Sequence, residues 1–239
     1  MNNLHIITPV KDSWETTRRT IDAVMASVGN VNFDYSVYND FSSDENTQKL
    51  ISISQQYKLN LINLKDVTTH PSPNYFLILC MVQARALSAN SHLLIVESDV
   101  IVEKNTIQQL FDYAASLEKA GMVSAVTTDE QGNINFPNLY AKNYKKGVVA
   151  THKRISFCCT LLTNNLLASL DLNKLNDKKD WFDVAISRLS RKNGFRNYLI
   201  TSSPVVHLPH SSRPWKLLKY SNPLKYYWLK WTKQLKTTK

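Results

Sequence analysis

Two carboxylates two residues apart, Glu97 and Asp99 of Glu97-Ser98-Asp99, follow directly on the apolar run Leu93-Leu94-Ile95-Val96. A short continuous apolar run of this kind reads as a buried strand. Acids at the mouth of such a strand can both face one divalent cation, and hard oxygen donors suit Mg2+ or Mn2+, which fill their remaining positions with diphosphate oxygens. Acid-x-acid triplets also occur as plain polar turns; the position after a buried strand favours the metal. His207 closes the short run Val205-Val206-His207 and is a candidate third ligand, against the commoner structural histidine at a strand end. His210 follows three residues later, but with no cysteine at ligand spacing the pair does not make a zinc site.

A second polar cluster, Tyr38-Asn39-Asp40-Phe41-Ser42-Ser43-Asp44-Glu45-Asn46-Thr47, follows another strand candidate. An acid there can accept the imide hydrogen of a pyrimidine or bond a ribose hydroxyl. The same residues suit helix capping, with Ser43 or Asp44 at the cap and acids in the first turn. Both roles fit together if Asp40 points at a ligand. The loop His70-Pro71-Ser72-Pro73-Asn74-Tyr75 reads as turn chemistry, and Arg85 as either a diphosphate contact or an exposed helix arginine.

In order, the chain offers Ile7-Thr8-Pro9-Val10, Asn39-Asp40-Phe41-Ser42-Ser43-Asp44, Glu97-Ser98-Asp99, Phe182-Asp183-Val184 and Val206-His207. This series, across roughly residues 4–210, resembles the family 2 glycosyltransferases of GT-A fold. The resemblance implies inverting transfer of a sugar from a nucleotide-sugar, by default a UDP-sugar, onto an acceptor hydroxyl. It implies nucleotide contacts from Thr8, Pro9, Asn39, Asp40 and Ser98. It implies a divalent metal, Mn2+ or Mg2+, on Glu97, Asp99 and His207, and a catalytic base at Asp183, with Asp180 as substitute. Asp180 and Asp183 lie three apart and share a helix face, although they equally suit capping of that helix. Three positions depart from the family pattern: Asn39 and Glu97 each stand where it has Asp, and Phe182 where it has Glu.

The elements that must position these residues alternate between strand and helix. Strands are expected at residues 4–8 (ended by Pro9), 34–38, 59–64, 92–96 and 122–126, with helices from a Ser13 cap and over 45–57, 74–89 and 105–120. Such alternation predicts an α/β, mostly parallel Rossmann-like sheet with ligands at the carboxyl ends of its strands. Residues 129–154 read as irregular loop, and 155–162 as a strand. Residues 180–191 read as a helix with Trp181, Val184, Ala185 and Leu189 inward. Residues 198–200 and 205–207 read as closing strands. The expected division is a GT-A catalytic domain over 1–212, nucleotide-binding to about 128 and acceptor-binding from about 129, followed by a basic amphipathic tail over 213–239.

The charge supports that boundary. The net charge is +10, but Arg213, Lys216, Lys219, Lys225, Lys230, Lys233, Lys236 and Lys239 form a tail without a single acid, which leaves residues 1–212 at only +2. A nearly balanced body makes nucleic acid an unlikely partner. Trp215, Tyr220, Tyr226, Tyr227, Trp228 and Trp231 interleave with the basic residues, a composition suited to an anionic membrane surface that carries lipid-linked acceptors. Packing of these aromatics on the body is the alternative. Residues 1–8 lack a signal-peptide pattern and no apolar run reaches spanning length. Three cysteines, two of them adjacent, suit a reducing compartment. The expectation is a cytoplasmic enzyme of glycolipid, lipopolysaccharide or capsular polysaccharide synthesis, peripheral on the inner face of the membrane. Five glycines and no glycine in Thr8-Pro9-Val10-Lys11-Asp12 argue against the alternative of a nucleotidyltransferase. A degenerate, non-catalytic GT-A binding protein is the other alternative.

Overall fold

The computed structural model describes residues 4–175, 181–208, 218 and 222–232. At its centre is one twisted sheet of strands β1 (Leu4–Val10), β2 (Phe33–Asn39), β3 (Asn60–Asn63), β4 (His92–Val96), β5 (Val100–Ile101), β6 (Ala120–Thr128), β7 (Val148–Ala150), β8 (Cys159–Leu162) and β9 (Arg196–His207). Their order is β3-β2-β1-β4-β8-β6-β9-β5, with β7 paired to β9. β1, β2, β3 and β4 run parallel, as does the long pair β6–β9. One antiparallel strand, β8, is wedged between β4 and β6.

Helices cover both faces. Alternation along β4 sends Leu94 and Val96 to one core layer and Leu93 and Ile95 to the other, as expected for a strand buried on both sides. The first layer receives Ile21 and Val24 of α1 (Trp14–Met25), Leu50 and Ile53 of α2 (Asp44–Tyr57), and Ile107 and Leu110 of α4 (Thr106–Ser116). The second receives Ile78, Leu79 and Val82 of α3 (Tyr75–Ser88), Leu166 and Leu167 of α5 (Asn164–Ser169), and Ile186 of α6 (Phe182–Lys192). A short helix, α7 (Pro223–Trp231), follows outside the sheet.

Several elements differ from the sequence reading for identifiable reasons. β1 runs through Pro9 to Val10, because its pairing with β4 stops at Ile7 and no neighbour on that side needs the missing amide hydrogen. Ser13 sits at the start of α1 in the left-handed conformation and offers its carbonyl, rather than a side-chain cap, to Thr16 and Thr17. Ser43 does cap α2, accepting from the Asn46 amide. α4 stops at Ser116 because Leu117 turns extended and β6 already begins at Ala120. The stretch 129–154 contains β7, a three-residue strand too short to register as a pattern. The strand read at 155–162 begins only at Cys159. The two closing strands are one, β9, whose register with β6 jumps between Ile200 and Pro204. Trp181 precedes α6 and is 64% exposed, not inward.

Gly121 in β6 lies where a Cβ would meet Phe195 Cβ at 2.7 Å and the Ser190 hydroxyl closer still. Gly121→Ala should therefore destabilise the fold by about 1–3 kcal/mol through overpacking. Urea denaturation would show this as a lower midpoint at unchanged slope.

Candidate active site

The carboxyl ends of β1, β2 and β4 open onto one edge of the sheet, and the antiparallel strands bring further residues there. Val96 of β4 pairs with Cys159 of β8, and the ladder continues one step as the Glu97 N–H donates to the Cys158 carbonyl at 2.9 Å. Cys158 is thereby fixed beside Glu97. Similarly, Val100 of β5 pairs with His207 of β9, and the Leu208 N–H donates to the Asp99 carbonyl at 2.8 Å. The turn between, closed by Val100 N–H to Glu97 carbonyl at 3.1 Å, carries Ser98, which is buried.

The result is a compact donor set. One ligand atom each of Glu97, Cys158 and His207 lie within 4.8 Å of one another. Asp99 Oδ2 is 3.7 Å from His207 Nε2. His207 Nδ1 lies 2.7 Å from the Phe136 carbonyl, an oxygen that only accepts, so Nδ1 carries the proton. In the neutral ring this leaves the Nε2 lone pair facing the acids, the usual outer-shell arrangement of a metal-binding histidine. Asp99 is 5% exposed, and its Oδ1 has no hydrogen-bond partner. A buried carboxylate oxygen without a donor is costly, and a cation at this cluster would satisfy it. Glu97 and His207 fall in one group and Asp99 stands beside His207, but the third member of that group is Cys158, where the sequence reading put Asp99. Cys158 is the donor that reading missed, and the antiparallel β4–β8 pairing that places it has no local signature.

Glu97 also lines a pocket of about 210 Å³, together with Tyr75, Phe157, Phe182 and Asp183. Tyr75 stacks between Phe157 and Phe182, with centroid distances of 6.3 and 6.1 Å, and Phe76 stacks on Phe182 at 5.7 Å. The Tyr75 hydroxyl is buried without a partner. Burial, together with the charges of Glu97 and Asp183, raises its pKa well above the ordinary phenol value, so the hydroxyl stays a donor. Asp183 accepts from the Val184 amide at 2.8 Å and meets Arg154 at 3.4 Å. Burial raises its pKa above the ordinary aspartate range despite Arg154. Burial and the facing acids Glu97 and Asp99 likewise push the Cys158 thiol up, and it donates to Glu97 Oε2 at 3.4 Å. Phe182, where the resemblance expects an acid, is part of the aromatic wall.

The remaining candidates lie elsewhere or are engaged. Asp180 and His210 lie outside the described residues. Asp40 is buried and accepts from Ser72 Oγ, the Asn74 amide and Asn74 Nδ2, at 2.7–2.9 Å. The 70–75 loop thus serves to hold Asp40, and the carboxylate is braced against that loop. Asn39 donates to Thr47 and Asn63 and accepts from the Ser42 amide, which organises the β2–α2 turn. The Thr8 side chain is fully buried against the Tyr35 hydroxyl at 2.8 Å, and of its pair only Pro9 is partly exposed. Arg85 pairs with Asp34 at 2.6 Å, near the start of β2 and at the opposite end of the strands from the donor set.

No protein-family model matches the chain, and no curated protein matches it by sequence. Among solved structures, the chain is similar to S. aureus TarS in complex with UDP-GlcNAc, with a TM-score of 0.65 at 13% identity over 88% of this chain and 59% of that one. It is similar to the mannosyltransferase PcManGT from Pyrobaculum calidifontis in complex with GDP-Man and Mn2+, with a TM-score of 0.61 at 13% identity over 94% and 63%. GalNAc-T7 with UDP, GalNAc and Mn2+ follows with a TM-score of 0.60 at 12% identity over 87% and 44%. The chain has the GT-A fold of these glycosyltransferases, and spans less than two thirds of the length of each of the three structures.

The raised pKa of Asp183 has a testable consequence. A carboxyl whose folded pKa lies above its unfolded value stabilises the fold while protonated, and that contribution is lost as pH rises through the window between the two values. Asp183→Asn should therefore be more stable than the parent at neutral pH. The gap should close as pH falls through the raised native pKa toward the ordinary aspartate value. Thermal melts of both proteins across that range measure it; a gap independent of pH would show the carboxyl to be unperturbed.

Proposed function

We propose that this chain is a metal-dependent glycosyltransferase of family 2 type, moving a sugar from a nucleotide-sugar, by default a UDP-sugar, to an acceptor hydroxyl with inversion. The observation that carries this reading is the placement of Asp183 and Glu97 on the same aromatic-walled pocket, with Glu97 also grouped with Cys158 and His207, and Asp99 beside His207. The UDP-GlcNAc and GDP-Man of the structures similar in fold point to the same donor class.

In this reading Asp183 takes the proton of the acceptor hydroxyl. Its burial strengthens it as a base, since a carboxylate with raised pKa holds a proton better. Arg154, at 3.4 Å, orients that carboxylate and favours its ionised form against the effect of burial. The rings of Tyr75, Phe157 and Phe182 line the pocket and would receive the apolar face of a sugar, while the Tyr75 hydroxyl is buried. A divalent ion, Mn2+ or Mg2+, held by Glu97, Asp99 and His207 would neutralise the departing diphosphate. In the same reading the nucleotide lies at the ends of β1 and β2, near Thr8, Pro9, Asn39 and Asp40, and near Ser98 in the turn after β4.

The same proposal places the protein at a membrane surface, where lipid-linked acceptors of glycolipid or surface-polysaccharide synthesis lie. Leu224, Tyr227, Trp228 and Trp231 follow the i, i+3, i+4, i+7 spacing of a single helix face, and all four are exposed on α7, with Lys225 and Lys230 beside them. An apolar stripe flanked by cations suits the headgroup region of an anionic bilayer. Among the described residues, no helix is long and apolar enough to cross a membrane.

Thermal shift with UDP-, GDP-, CMP- and dTDP-sugars, each with and without Mn2+, tests the donor site. One nucleotide class should raise the melting temperature only with metal, and Asp99→Ala should abolish the rise. With the matched donor, Asp183→Asn should keep the shift yet slow nucleoside-diphosphate release during transfer by about a hundredfold or more, whereas Asp180→Asn should not. Sedimentation with vesicles tests the tail. Binding should be strong on phosphatidylserine-containing vesicles and weak on phosphatidylcholine alone, and should fall when Trp228 and Trp231 are changed to Ala. Equal sedimentation of parent and variant would leave the tail without a membrane role.

A further inference from the structure

Cys158 has no assigned task in a site built of oxygen and nitrogen donors. It is 2% exposed, and its sulfur is one of three ligand atoms within 4.8 Å of one another, with Glu97 and His207 supplying the others. Ser156 Oγ lies 3.2 Å from the same sulfur. Independently, Asp99 Oδ1 is buried and unsatisfied next to that group, an oxygen arranged for a positive charge. The backbone leaves the thiol little freedom to be elsewhere, because the Cys158 carbonyl is bonded to the Glu97 amide while Cys159 is in register with Val96. We propose that Cys158 is a thiolate ligand of the cation site, which makes the site select borderline ions over magnesium.

The inference rests on the metal-dependent reading above and sharpens it. Thiolate sulfur is a soft donor, which magnesium refuses and which cobalt, zinc and iron(II) accept. On coordination the thiol gives its proton to solvent and its lone pair to the ion; a metal-bound thiol is deprotonated outright. The hydrogen bond from Cys158 to Glu97 is then replaced by a shared cation between the same two atoms. Cys80 is half-exposed on α3, and Cys159 is fully buried within β8. Neither is among the clustered donors.

Cobalt(II) chloride added to the full, reduced, metal-stripped chain, alone and with UDP, reads the ligand directly. A cobalt–thiolate bond produces an intense near-ultraviolet charge-transfer band that oxygen and nitrogen ligands do not. The band should saturate at one equivalent, persist in Cys80→Ser and Cys159→Ser, and vanish in Cys158→Ser. That variant should bind cobalt about tenfold or more weakly, with its affinity for magnesium unchanged. Magnesium in large excess should not displace cobalt from the parent protein. Cobalt binding with only weak visible bands in the parent would overturn the inference and leave the metal-dependent transferase standing; so would a band that survives in Cys158→Ser. Failure of the parent to bind cobalt, and manganese by electron paramagnetic resonance, would overturn both. The parent spectrum decides the matter even if the variant folds poorly.

Discussion

The site depends on the reversal of one strand. β8 runs against its neighbours between β4 and β6, so its first residues lie where the parallel strands end. A parallel strand in that slot would present its carboxyl end there instead, and Phe157 and Cys158 would lie a full strand length away. With the reversal, the aromatic ring and the thiol that precede β8 arrive beside Glu97, held by the same ladder that buries Leu94, Ile95 and Val96. β5 works similarly: two residues of antiparallel pairing with the end of β9 suffice to set His207 against Asp99. Backbone hydrogen bonds, rather than side-chain flexibility, therefore set the spacing of the donor atoms. Rigid elements hold a functional constellation more closely than loops do.

That rigidity has an energetic counterpart. Asp99, Asp183 and Glu97 are acids at least partly withdrawn from water; Asp183 pairs with Arg154, and Asp99 faces His207. Tyr75, Asp99 and Asn135 each keep a buried polar atom unsatisfied, and Asn135 also donates to the His207 carbonyl. Buried polar atoms are almost always paired in folded proteins, and local violations gather where a ligand completes the arrangement. The opposite end of the sheet carries an ion-paired cluster. There Arg85 pairs with Asp34, and His5 Nε2 bonds Ser36 while its Nδ1 is also unpartnered; burial together with Arg85 lowers the His5 pKa to about 4, so that it stays neutral.

Much of this was legible in the chain. The near-continuous apolar residues of β4 announced a strand covered on both faces, and the acids after it announced the mouth of that strand. The alternation of strands and helices through β6 gave the parallel order of the first half. What could not be read were the features set by pairing over long sequence distances. Cys158 meets Glu97 across 61 residues, and nothing around Cys158 says which strand β8 will join or in which direction. Trp181 was misplaced because a helix pattern cannot say where its first turn begins, and the chain enters α6 one residue later. Asp40 was read as a residue pointing at a ligand; the 70–75 loop bonds it from three directions, a relation between two loops that no local pattern contains.

Phe182 shows why a departure from a pattern need not be a loss. An acid at that position would set a second negative charge next to Asp183, and each carboxylate would raise the other's proton affinity by repulsion. Phe182 brings no such coupling, and the protonation of Asp183 is set by burial, opposed by Arg154 and by backbone amides. The ring also stacks on Tyr75 and Phe76, which ties the start of α6 to the start of α3 and closes the pocket wall. A single carboxylate of defined environment thus stands on a helix braced by aromatic packing. The same logic applies across the pocket, where Glu97 in place of a shorter acid extends the carboxylate far enough from β4 to accept from Cys158 and to line the pocket that Asp183 faces.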